Sequence, residues 1–76
     1  MMRLAAIGKT VVVANGIRDY PAIVTSITTN HIVNLVTFEE GKAPEYPCHV
    51  VIHPDRPTAM NAYLKDGGTH AYWPAY

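Results

Sequence analysis

A chain of 76 residues has room for one domain, and a domain of this size buries only about 60% of the surface that its unfolded chain exposes. The hydrophobic fraction is 49% and the charged fraction 16%, low against the usual ~25%, so some apolar surface is expected to end against another chain. Six Lys plus Arg, scattered singly, balance six Asp plus Glu, which disfavours nucleic-acid binding because neutralising phosphates takes a basic excess.

Residues 1–8 read as a lead-in or N-terminal arm. Lys9 cuts their apolar run short of a signal-peptide core, so no export signal is expected. Lys9–Ala14 carries three consecutive valines and reads as a short strand, buried on both faces or pressed against a neighbour. Asn15-Gly16 is a strong turn signal, and Ile17-Arg18-Asp19 lengthen the loop that follows it. Ala22–Thr28 and His31–Phe38 are β-branched runs divided by Thr29-Asn30-His31, which predicts an antiparallel hairpin entered through Tyr20-Pro21. Asn30 suits the turn as the non-glycine residue type that most readily takes a positive φ.

Glu39–Glu45 is charged, contains Gly41 and Pro44, and reads as an exposed loop. Tyr46–His53 reads as a fourth strand, ended by Pro54-Asp55-Arg56-Pro57. Met60, Tyr63 and Leu64 fall at i, i+3 and i+4 between Pro57 and the stop Asp66-Gly67-Gly68, predicting a short helical turn near residues 57–65. The tail from Thr69 to Tyr76 is strongly aromatic and is expected to pack back on the body of the protein or onto another subunit. Deleting residues 69–76 is expected to leave the fold intact. Short strands with turns about every eight to twelve residues predict an all-β chain. A five-stranded SH3-like barrel over residues 9–76 is the simplest way to close the sheet and hide its edges.

Three stretches also resemble a group of small, largely uncharacterised tailed-phage and prophage proteins. Tyr20-Pro21-Ala22-Ile23-Val24 is similar to that group's "PAIV" strand, and Val33-Asn34-Leu35-Val36-Thr37-Phe38 to its "VNLxVF" strand. Gly68-Thr69-His70-Ala71-Tyr72-Trp73-Pro74 resembles its closing "GTWHWP". The matches run in order over residues 9–38 and 68–74, and the middle third is not matched. The resemblance implies an SH3-like barrel encoded in a phage genome, and supplies no activity.

Residue chemistry points away from catalysis. His49 and His53 have helical metal-ligand spacing, but on a strand four residues span about 13 Å, too far for one ion. No metal and no cofactor is expected. His31 and His70 read as surface or packing residues. Cys48, the single cysteine, excludes an intramolecular disulfide framework. Lacking a helix N-terminus to activate it, the thiol is expected to be buried and inert. Glu39, Glu40 and Glu45 read as solvated loop acids, and Gly67-Gly68 lacks the frame of a phosphate cradle. No run of about 18 apolar residues is present to span a membrane.

The aromatic residues carry the functional expectation, since such side chains are favoured in interface cores and in peptide grooves of SH3-type barrels. Tyr63, Tyr72, Trp73 and Tyr76 are the expected protein-interface residues. Trp73 has the alternative of plugging one end of the barrel. The reading is a non-enzymatic phage module that binds other protein subunits or itself. A virion component, such as a capsid decoration protein or a head or tail accessory, is its concrete form. The alternative is an adaptor or inhibitor in the host cytoplasm that binds a host protein, with nucleic-acid binding a distant third.

Overall fold

Val11 and Val13 face one way and Val12 the other, as the two-residue period of a strand demands. That alternation, repeated in each strand, builds a closed barrel. The computed structural model describes residues 5–16 and 18–74. The elements are β1 (Thr10–Ala14), β2 (Tyr20–Thr29), β3 (Ile32–Thr37), β4 (Val50–His53), α1 (Arg56–Asp66) and β5 (His70–Tyr72). The barrel runs β1-β2-β3-β4-β5 around its circumference. The expected all-β, five-stranded SH3-like architecture with one short helix is therefore the observed one.

The β2–β3 hairpin is the longest pairing, running from Ala22↔Thr37 to Thr29↔Ile32 with two register irregularities. Its two-residue turn does not use a positive φ at Asn30; among the described non-glycine residues only His49 has one. The turn is held instead by the Thr29 hydroxyl, which accepts the N–H groups of His31 and Ile32. Side-chain capping of this kind offers the backbone partners that the ladder cannot.

The tail does not project from the barrel. Its residues His70–Tyr72 form β5, antiparallel to β1 and parallel to β4. A parallel pair needs a crossover, and α1 provides it between β4 and β5. Asp55 caps the helix by accepting from Thr58 N–H at 3.0 Å and Thr58 Oγ1 at 2.6 Å. Pro57 occupies the first turn, where a missing N–H costs nothing. Gly67 ends the helix in the left-handed conformation, its N–H returning to the Tyr63 carbonyl at 2.7 Å.

Inside the barrel lie Val11, Val13, Ala22, Val24, Val33, Leu35, Val50, Ile52 and Ala71, with Ala5, Tyr20 and Trp73 packed against them. Ala14 and Ala59 are buried outside this cluster. They belong to a second, thinner layer in which α1 covers the outer side of β1, β5 and β4. Small side chains there let the helix lie close to the sheet.

Two further expectations are corrected. The fourth strand is Val50–His53 rather than Tyr46–His53, because Pro47 and the left-handed His49, φ 55°, interrupt the run. Residues 45–47 still follow β3, through the Thr37↔Glu45 bridge and the Leu35 N–H to Pro47 carbonyl bond at 3.0 Å. Cys48 consequently sits on a loop and is exposed, not buried.

Because β5 joins β1 to β4, deleting residues 69–76 removes a wall of the barrel rather than a free arm. A chain truncated after Gly68 should lose its dispersed amide NMR spectrum and its cooperative urea transition. A truncated chain that keeps both would show that the first four strands suffice.

Candidate functional site

The outer side of the sheet away from α1 follows from the register. Ala22, Val24, Leu35 and Thr37 point inward, so Pro21, Ile23 and Val36 point outward. Ile23 lies opposite Val36, and Val12 opposite Pro21. Phe38 donates its backbone N–H to the Pro21 carbonyl at 3.0 Å, and the two residues line one cleft. Continuing the Thr37↔Glu45 register puts Tyr46 opposite Val36. Ile23 is 36% exposed, Phe38 44% and Tyr46 73%. The result is a run of adjoining apolar residues on one strand face, with Val12 and Val36 partly covered and Phe38 and Tyr46 the most exposed.

This face continues into an open cleft of about 410 Å³ at the barrel end, lined by Asn15, Arg18, Asp19, Tyr20, Pro21, Phe38, Glu39 and Glu40. Its charges are internally paired. Arg18 meets Glu40 at 2.7 Å, and Lys42 meets Glu39 at 3.5 Å. Exposed pairs of this kind contribute about 0–1 kcal/mol, so the cleft's binding capacity rests on Tyr20, Pro21 and Phe38.

The expected interface residues lie elsewhere. Tyr63, half-buried on α1, packs over Gly16, where an added Cβ would lie 3.2 Å from its ring. Gly16 also has φ +86°, so the loop needs glycine on both counts. Trp73 packs against the barrel core and donates its N–H to the His53 carbonyl at 3.3 Å. Tyr72 lies on β5, half-buried, with its hydroxyl donating to Asp19 Oδ2 at 2.5 Å. Tyr76 lies outside the described residues. The structure thus brings Tyr63, Tyr72 and Trp73 to contacts within the chain, around the helix and the barrel end.

Asp19 is the hub that sequence reading missed. It accepts from Tyr72 and, at 2.7 Å, from Arg56 Nε, tying the β1–β2 loop to β5 and to the start of α1. Burial would raise its pKa, but the hydrogen bonds from Arg56 and Tyr72, with the Arg56 charge and the Asn15 backbone, outweigh burial and hold it below 3.8. Burial and the adjacent carboxylate push the Tyr72 phenol up. Both shifts describe an ionised acceptor held by two donors.

The histidines also pair unexpectedly. His53 does not join His49; its Nε2 lies 3.0 Å from Nδ1 of His70 on β5. His70 Nε2 in turn meets Asp66 at 2.9 Å. Among the described residues no three His, Cys, Asp or Glu side chains form a metal-binding group, and no helix is long and apolar enough to cross a membrane. No family model matches the chain, and neither a curated protein nor a solved structure matches it.

Removing a donor from Asp19 should cost stability. Tyr72→Phe is expected to lower the unfolding free energy by about 1.5–3 kcal/mol at neutral pH, the range for a hydrogen bond to a charged group. In an Asp19→Asn background the same substitution should cost less, as contact pairs couple. Asp19's contribution is present above its ordinary value of 3.8 and is lost as pH falls through the lowered folded value. Urea titrations of the four proteins check this; a Tyr72→Phe protein as stable as the parent would contradict it.

Proposed function

We propose that this barrel acts by docking on other protein subunits through the outer face carrying Pro21, Ile23, Val36, Phe38 and Tyr46. The observation that carries the reading is the adjoining exposure of Phe38 and Tyr46 beside Ile23. Contiguous apolar surface on a small domain marks an interaction site more often than a scattered Leu or Ile does. The zero formal charge supports a protein partner over a polyanion. Binding, not catalysis, is the proposed role.

The resemblance of the "PAIV", "VNLxVF" and tail segments to phage proteins supplies the setting. In that setting the chain is a virion component, either a capsid decoration protein or a head or tail accessory. Magnitudes favour a repeated surface. Burying roughly 300 Å² of apolar area contributes on the order of 5–10 kcal/mol, comparable with the ~4–15 kcal/mol lost on association. One contact is therefore weak, and many linked contacts on a lattice are strong.

Quantitative mass spectrometry of purified particles of the encoding phage tests the reading. A copy number near that of the major capsid protein is expected for a decoration protein, and a handful of copies for a vertex or tail accessory. Absence from the particle would overturn the virion role and favour a host-protein target. A Phe38→Ser, Tyr46→Ser chain should keep the barrel fold and be lost from the particle. Full retention of that variant would remove this face from the account.

A further inference from the structure

Among the described residues His70 is the one buried histidine, and it lies at the seam where the barrel closes. That seam is short: Val51↔His70, Ile52↔Ala71 and His53↔Tyr72. Ala71 points into the core, so the His70 ring points outward, beneath α1. Its Nε2 lies 2.9 and 3.1 Å from the two oxygens of Asp66. A carboxylate only accepts, so His70 Nε2 carries hydrogen and donates. In the neutral ring Nδ1 is then an acceptor, and His53 Nε2–H, 3.0 Å away, is its donor.

Proton counting sets the limit of this arrangement. One added proton fits on His53 Nδ1, because the resulting cation still donates from Nε2. A second proton must go to His70 Nδ1, where it faces an N–H instead of a lone pair. The two rings, with centroids 5.1 Å apart, would then both be cations. We propose that the His53–His70 pair is an acid-operated latch: double protonation breaks the ring-to-ring hydrogen bond and frees β5 from β4.

Carboxylates flank both rings, and the opposition to a second proton comes from the ring-to-ring contact itself. Asp66 on α1 accepts from His70 and from Gly68 N–H at 2.7 Å, with Lys65 beside it. Asp55 in the β4–α1 turn also favours a cation on His53. Tyr72, next along β5, is tied to Asp19 and Arg56. Burial, and then the charge of His70, hold His53 below its ordinary 6.5 against the pull of Asp55 and Asp66. A released His53 titrates nearer the ordinary value, so the open form binds more protons. The latch is closed above that value and weakens as pH falls below it, the opening constant rising by up to about tenfold per pH unit.

Native-state amide exchange by NMR, at about pH 7.5 and about pH 5 and corrected for intrinsic rates, reads the latch directly. Protection of the Trp73 N–H, bonded to the His53 carbonyl, should fall at least about tenfold, while that of amides in the β2–β3 hairpin changes little. Equal change at both places would overturn the latch. His53→Gln supplies an amide donor that does not titrate, so its seam should stay protected in acid. A seam that opens in that variant as in the parent would also overturn it. Should His53→Gln not fold, imidazole NMR titration of the parent decides. His53 is expected to titrate below its ordinary 6.5; a His53 that titrates at or above that value would exclude the latch.

Discussion

Strand β5 is three residues long, yet it bonds to both β1 and β4, and without it the other four strands form a sheet with two open edges. Open edges in so small a domain would expose backbone donors and acceptors and invite pairing with other chains. Much else in the molecule serves that closure. The crossover helix exists because β5 must run parallel to β4. Asp19 fastens β5 from the β1–β2 loop, His53 fastens it from β4, and Asp66 fastens it from the helix.

The polar ties compensate for a modest core. Its interior is mainly valine and alanine, with Leu35 the largest fully buried side chain. Such residues fill a narrow barrel but bury little area each, and a domain of this length has a stability of only about 4–11 kcal/mol on a per-residue scale. Charge-assisted and ring-to-ring hydrogen bonds at the closing strand therefore matter in proportion. Their cost is sensitivity to protonation, since histidines supply part of the closure.

The hairpin, the first strand and the helix were legible because each is fixed by local signals: β-branched runs, Asn15-Gly16, and Pro57 and Asp66-Gly67-Gly68 around α1. The start of β4 was not, since Tyr46–His53 reads as one β-rich run and only the backbone at His49 shows where the strand starts. The tail, expected to pack back on the barrel or onto another subunit, does not announce its strand because His70-Ala71-Tyr72 is too short; its pairing is with residues some sixty and twenty positions earlier. Asp19 and the His53–His70 pair are products of that long-range closure, which no sequence spacing records. The outer face was hidden for another reason. In Ala22–Thr28 and His31–Phe38 both alternating sets are mostly apolar or β-branched, with only Ser26, His31 and Asn34 otherwise, so the side that faces water emerges only from the register.

The aromatic residues thereby divide into two groups. Tyr63, Tyr72 and Trp73 have packing or hydrogen-bonding roles within the chain, whereas Phe38 and Tyr46 have large exposed areas on the face away from the helix. Hydroxyl-radical footprinting of the free chain and of the particle-bound chain tests this division most directly. Protection of Phe38, Tyr46 and Ile23 on docking is expected, with Tyr63 and Trp73 unchanged. Protection confined to Tyr63, Tyr72 and Trp73, with Phe38 and Tyr46 as reactive as in the free chain, would contradict it.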